Sequence, residues 1–472
     1  MAVITAPTYD PKTYAEGLAN DYVAATQAIL AKQTAGATAT ASGLSKLGSA
    51  LSAFQTAMAG LANSSSSVTA TKASFSNTAI GTATATSSAQ AGSYAFYVQQ
   101  LATAGQVSYN VGDSAATGAG SMNIVLADGS AFQVDLAGAD SNKDNVLSAK
   151  EVAAAINAAA SNNSRITAST MTINGATRLV LTSNVTGEDN AVASIDTSGL
   201  GDAGLQSALD SANQTVLTAA TNAIVFAGGK NGTKVEQASN TFSVVDDVKF
   251  TITQAQGVND AAVTLTVAAD NSGTATNVQK FVDAYNTLLG AIKTLTAAGD
   301  HTLTSATGSA TTSDDAAFYN DSGVLNLRDR LNGILRDATG GQSLINYGIS
   351  ASRDGTLKLD SARLNKSIAA NPEGLDKLFG RAGVGVDSGV LGAMNKLTTL
   401  WTSSTGGLIN QRKTQNDRLQ SDLVDRQATV KNQFDNAYKR YLAQFTALQQ
   451  LQTSMTSTSN MFTAMFSSSS DS

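Results

Sequence analysis

Leu44-Ser-Lys-Leu47-Gly-Ser-Ala-Leu51-Ser-Ala-Phe54-Gln-Thr-Ala-Met58-Ala-Gly-Leu61 carries a large apolar side chain at alternating steps of three and four residues. That alternation gathers every such side chain onto one stripe of a helix, the seam of a coiled coil. A seam needs a partner helix. The far end of the chain supplies one, because Leu419, Leu423, Val430, Phe434, Ala437, Tyr441, Phe445, Leu448, Leu451, Met455 and Phe462 keep three- or four-residue steps apart from gaps such as Arg426. Helical from Leu408 to Phe466, this segment would extend roughly 90 Å, too long for one globular core. Upstream of the first seam, Tyr14, Leu18, Tyr22, Ala25 and Ile29 carry the helical period towards the amino terminus.

Between these ends the period becomes two. Ile124, Leu126, Phe132, Val134 and Leu136 flank Asp128-Gly129, and Met171, Ile173, Leu179 and Leu181 flank Asn174-Gly175. Both dipeptides are preferred hairpin turns because their residues tolerate positive φ. Further strands are expected over Ala223 to Phe226, Thr241 to Thr253 and Val263 to Val267. After Gly273 the helical period returns at Val278, Phe281, Val282, Tyr285, Leu289, Ile292 and Leu295, then at Val324, Leu327, Leu331 and Leu335. The reading is an α+β multidomain chain, with long terminal coiled-coil helices and a helical bundle domain carrying inserted β-rich domains. Terminal stalk helices are assigned to residues 1–40 and 445–472, and the bundle to 41–75 and 274–444. A β-rich head domain is assigned to 76–108 and 222–273, and a second, with hairpins and one helix, to 109–221. Polar tracts mark the joints: Ser64 to Ser67, a loop over Thr296 to Thr312 expected to be mobile, and a tail from Ser467 to Ser472 expected to fray.

Composition narrows the function. A length of 472 residues leaves room for about three domains. The net charge of -6, from 36 acidic and 30 basic residues without large blocks, offers no basic face for nucleic acid. Cysteine is absent and His301 is the only histidine, so thiolate or imidazole metal centres cannot form. The opening residues lack a basic region followed by an apolar one, and no stretch suffices to span a bilayer. The expectation is a cytoplasmic protein, or one exported by a route that does not read such a peptide.

One constellation has the spacing of a site. Asp140, Asn142, Asp144, Val146 (through its carbonyl), Ser148 and Glu151 occupy positions 1, 3, 5, 7, 9 and 12 of an EF-hand calcium loop, with Leu147 at the usual apolar position. Position 6 is Asn145 rather than glycine, and the residues before the loop read as strand rather than as an entering helix. The same residues also read as a capping box, Ser148-Ala-Lys-Glu151, opening a helix over Val152 to Ala159. A structural calcium ion and an ion-free cap both remain open; no cofactor is required. Elsewhere, His301 reads as a solvated surface residue and Trp401, after Leu397 and Leu400 at helical spacing, as core. The run Gly228 to Thr233 reads as a hairpin, since Ile224 and Asn231 stand where a phosphate loop needs Gly and Ser or Thr. The charges from Arg412 to Arg440 read as the solvated face of a long helix.

Gly348-Ile-Ser-Ala-Ser-Arg-Asp-Gly-Thr-Leu-Lys-Leu-Asp360, followed by Leu364, Ile368, Asn371-Pro372 and Leu378-Phe379, reads as strand, Asp354-Gly355 turn, strand and helix. It also resembles a hallmark segment of the FliD family of flagellar filament-capping proteins. Tyr97 to Ala104, Ala154 to Ala158 with Thr177 to Ser183, Ser239 to Ser243 with Val248 to Ile252, and Tyr438 to Asn460 resemble further stretches of that family or of related hook-associated proteins. The resemblance implies a homo-oligomeric, non-enzymatic cap outside the cell at the flagellum tip. Its partners would be flagellin and a flagellar export chaperone, and it would leave by the flagellar type III apparatus. Stalk helices would reach into the filament, and Leu44, Leu47, Leu51, Phe54, Met58 and Leu61 with Leu448, Leu451, Met455 and Phe462 are expected to form its assembly seams. The alternatives are an adhesin-like surface-binding protein and another flagellar axial subunit.

Overall fold

Asp10 starts the first helix, α1 (Pro11–Leu61): its carboxylate accepts the N–H groups of Lys12 (3.1 Å) and Thr13 (3.3 Å), and Pro11 sits where a missing N–H costs nothing. The computed structural model describes residues 10–116, 119–300, 314–337, 341–383 and 385–468. His301, most of the loop from Thr296 to Thr312 and the last residues of the tail lie outside them. The chain divides into two compact units, residues 1–64 with 275–472 and residues 65–274.

The second unit opens with β1 (Ala70–Phe75), β2 (Gly81–Ala85) and β3 (Gly92–Gln100). An excursion follows through β4 (Gln106–Tyr109), β5 (Ser114–Ala115), β6 (Ser121–Leu126), β7 (Ala131–Asp135), β8 (Val146–Leu147), α2 (Ala149–Ala158), β9 (Ile166–Ile173), β10 (Ala176–Ser183), β11 (Val192–Asp196), α3 (Ala203–Ala208) and β12 (Thr215–Thr218). The chain returns as β13 (Ala223–Ala227), β14 (Thr233–Gln237), β15 (Thr241–Val245), β16 (Val248–Ile252) and β17 (Val263–Asp270). A five-stranded sheet of order β1-β17-β3-β13-β14 and a three-stranded sheet of order β15-β16-β2 share one core, in which Phe250 stacks on Phe242 (5.3 Å) and meets Phe75 edge-on (5.5 Å). The excursion builds its own core from the sheets β12-β4-β10-β9 and β11-β6-β7, closed by α2 through Val152 and Ile156. The boundary read at residue 75 falls at the end of β1, which pairs with β17 from Ala70 to Phe75 and so belongs with the sheet.

Both hairpins form, by different means. Asn174 and Gly175 both take positive φ (51° and 80°), whereas at the other turn only Gly129 does (82°), and the Asp128 carboxylate accepts the Ser130 N–H at 2.8 Å instead. The run from Thr241 to Thr253 forms an antiparallel strand pair, folded back at Asp247 (φ 61°).

The other unit is helical. After α1 it contains α4 (Asn271–Leu295), α5 (Ser322–Arg336), the hairpin β18 (Ile349–Ala351) and β19 (Leu357–Leu359), then α6 (Ser361–Ala370), α7 (Pro372–Phe379), α8 (Gly389–Thr402) and α9 (Leu408–Ser468). The hairpin is fixed to α4 by Asn286, whose Oδ1 accepts the Leu357 N–H (2.7 Å) while Nδ2 donates to the Leu357 carbonyl (2.9 Å), and by Lys293 on Asp354 (2.9 Å). Gly348 is required: at φ 78°, a Cβ there would lie 2.6 Å from the Asp360 carbonyl oxygen. Asn371 ends α6 and also starts α7, accepting the Gly374 N–H at 3.0 Å. Phe281 meets Phe379 edge-on at 5.1 Å in the core.

Candidate assembly surface

Helices α1 and α9 run antiparallel along one another. Gln420 donates to the Ala37 carbonyl (3.4 Å) and Gln427 to the Thr34 hydroxyl (3.1 Å); further out, Arg440 lies over Tyr22 (5.9 Å) and Tyr14 packs on Phe445 (5.9 Å). One buried row on each helix repeats every seven residues: Val23, Leu30, Ala37, Leu44, Leu51 and Met58 on α1, and Ile409, Asn416, Leu423, Val430 and Ala437 on α9. Sequence reading of α9 followed apolar steps alone and so passed over Asn416, while it admitted Leu419, which is 45% exposed. A strict heptad count from Leu423 would have found the amide.

The two expected assembly seams part company here. Leu44, Leu47, Leu51, Phe54, Met58 and Leu61 are buried inside this chain's own helical unit, where Gln55 on the same helix donates to Thr399 of α8 (2.9 Å) and accepts from Thr402 (3.0 Å). A partner copy cannot use them while the bundle is folded. Leu448, Leu451, Met455 and Phe462 are 43%, 57%, 64% and 57% exposed. Register explains the difference: α1 begins at Pro11, roughly opposite residue 449, so the rest of α9 runs past the start of α1 for roughly 28 Å. Exposed apolar patches of this kind in general mark interaction sites.

The base of α9 is anchored. Arg412, assigned to the solvated face from sequence, instead makes a two-pronged ion pair with Asp321 (2.9 and 3.1 Å) and lies over Trp401 at 5.4 Å. Asp321 also caps α5 by accepting the Val324 N–H at 3.0 Å. Burial pushes the Asp321 carboxyl up, but Arg412 and the Val324 N–H outweigh it and hold the group below the usual carboxylate range. Trp401 is buried, as read.

In the second unit, the loop from Asp140 to Glu151 is closed by its own hydrogen bonds. Asp140 accepts the N–H groups of Lys143 (2.7 Å) and Asn145 (2.9 Å), Asn142 that of Asp144 (2.9 Å), and Asp144 that of Val146 (2.9 Å). Asn145 takes φ 63°, and Val146 enters the β5–β8 ladder opposite Ala115. The Glu151 carboxylate accepts the N–H (3.1 Å) and hydroxyl (2.9 Å) of Ser148 on one oxygen, and the N–H and hydroxyl of Ser141 (both 3.0 Å) on the other. These bonds, led by those from Ser148, bring its carboxyl down to about 2. The Glu151 N–H returns to the Ser148 hydroxyl at 3.4 Å, which completes the capping box of α2. Among the described residues no group of three or more His, Cys, Asp or Glu side chains is placed to hold a metal, and no helix is long and apolar enough to cross a membrane.

Comparison with known proteins places this architecture. Residues 8–105 match the family model described as "Flagellar hook-associated protein 2 N-terminus", and residues 220–457 that described as "Flagellar hook-associated protein 2 C-terminus". The stretch between the matches is the excursion that carries the Asp140 to Glu151 loop. The chain is 31% identical to the lateral flagellar hook-associated protein 2 of Vibrio parahaemolyticus, over 81% of this chain and 83% of that protein. It is 30% identical to the B-type flagellar hook-associated protein 2 of Pseudomonas aeruginosa, over 88% and 86%. The crystal structure of the D1-D2-D3 domains of the Escherichia coli flagellar cap protein FliD superposes with a TM-score of 0.58 at 27% identity, covering 78% of this chain and 98% of that one. A helical unit interrupted by β domains, matched at both ends by the same family, identifies this chain as a member of the flagellar hook-associated protein 2 family, the FliD flagellar cap proteins.

Proposed function

We propose that the protein is the cap of a bacterial flagellar filament, a homo-oligomer at the distal end that retains exported flagellin and promotes its folding and insertion. The observation that carries this reading is the exposed end of α9. Leu448, Leu451, Met455 and Phe462 form an apolar stripe on a helix overhanging its own partner, in a chain whose family is that of the filament cap. Burying such a stripe against neighbouring copies or the filament end gains about 25 cal/mol per Å² of apolar surface. The β domains would form the plate over the growing end. The work is mechanical, holding and releasing surfaces, so it needs no proton transfer and no cofactor. A calcium ion in the Asp140 to Glu151 loop would be structural. Delivery would use the flagellar type III apparatus with an export chaperone.

A strain lacking the gene should release flagellin monomers into the medium and swim poorly, and purified protein added back should restore filament growth. Filaments of normal length in that strain would overturn the proposal.

A further inference from the structure

Of the five buried heptad positions on α9, four are apolar and the fifth is Asn416, which is 6% exposed and whose Nδ2 has no hydrogen-bond partner among the described residues. The contact of Gln420 with Ala37, and the approach of Ile409 to Gly48, set Asn416 level with Ala41, between the Ala37 and Leu44 layers. A buried amide donor without an acceptor weakens the layer that contains it, and a lone asparagine in a coiled-coil core gives up stability. The two sides of this layer differ. Towards the bundle, Leu44 to Leu61 are held where α8 also bonds to α1 through Gln55. Towards the free end, Val23, Leu30, Ala37, Leu423 and Val430, with Phe434 against them, form a small core of their own with only two helices in it.

We propose that Asn416 is a built-in break in the α1–α9 seam, setting the point beyond which the two-helix section opens without disturbing the bundle. The proposal rests on the reading of these helices as the stalk of a cap: a stalk that loosens as its overhanging end meets the filament needs an opening that stops short of the core. Asn416 is the layer where the apolar seam is interrupted, and the separate cluster beyond it is the piece released.

Amide hydrogen exchange on the full-length chain tests this. In the unaltered protein, amides over 15–37 and 423–437 should exchange together and at least tenfold faster than those over 44–58. Asn416→Leu should slow exchange of the first group by tenfold or more, a factor equal to about 1.4 kcal/mol of opening free energy, and should raise Tm by about 2–8 °C. Filament regrowth with the variant should be slower than with the unaltered protein. A single common exchange rate across the seam, or exchange over 15–37 untouched by Asn416→Leu, would overturn the proposal. So would full regrowth by a variant whose stalk no longer opens. Failure of the unaltered protein to restore filaments would instead refute the cap reading and leave the exchange result standing.

Discussion

Replacing Asp321 by alanine removes two supports at once. The carboxylate caps α5 through the Val324 N–H and grips Arg412, the residue that anchors the base of α9. Loss of an N-cap of this kind costs about 1 kcal/mol. The ion pair is two-pronged, but its side chains are 30% and 27% exposed, so solvent screening holds its share to about 1 kcal/mol. The sum, about 2 kcal/mol, predicts a fall in Tm of roughly 4–8 °C for a unit of this size. Asp321→Asn keeps a capping oxygen and gives up the charge, so it should lose about half as much. The dependence on pH has a definite sign. The folded-state carboxyl titrates below its unfolded value, so its contribution is complete above the ordinary aspartate value near 3.9, and is lost as pH falls below that through the lowered folded value. Thermal unfolding followed by circular dichroism should therefore show the unaltered protein and Asp321→Asn well separated at pH 7 and converging towards pH 2. Equal stability of the two at pH 7, or a separation that persists at pH 2, would refute the reasoning.

Glu151→Ala should lower Tm by the same amount in calcium and in chelator, because four hydrogen bonds already occupy the carboxylate; a loss seen only with calcium would assign the loop to an ion. The stabilisation from that carboxylate should be complete above about pH 4.5 and fade as pH falls towards 2, again because its folded-state value is lowered. Joint replacement of Leu451, Met455 and Phe462 by serine should leave Tm within about 1 °C, since all three are exposed, yet abolish self-association in sedimentation velocity and filament regrowth. Limited proteolysis should trim α9 from its carboxyl end, sparing the strands around Val134 and Val180; equal resistance of both regions would show the stalk to be preformed. Removing residues 1–40 with 445–472 would strand Leu423 and Val430 without their partners on α1, whereas removing 1–40 with 420–472 should leave a cooperatively unfolding core.

Much of this architecture was legible because it is periodic. Leu44 to Leu61 could be read as one face of a helix, and Asn174-Gly175 as a turn, because in each case local chemistry dictates the conformation. The assembly stripe was legible only in part, since an apolar seam looks the same whether its partner lies in the same chain or in another. Antiparallel register decided the matter: it buries Leu47 and leaves Met455 in water, and register depends on where each helix begins. Arg412 was misread for a related reason. Its partners, Asp321 and Trp401, come from elements that meet only in three dimensions, although the position of Asp321 just before the apolar period of α5 was a visible capping signal. Asn416 was missed because a search for apolar residues discards a polar one in the same row. In the Asp140 to Glu151 loop the sequence supports two chemistries; the capping box of Ser148 and Glu151 is formed, and the comparison of Glu151→Ala in calcium and in chelator decides between them.

The most direct test of the central claim is electron microscopy of filaments grown with this protein carrying a small label. A filament cap would carry label at the distal end of each filament and none along the shaft. Label distributed along the shaft, confined to the hook end, or absent from intact filaments would contradict it.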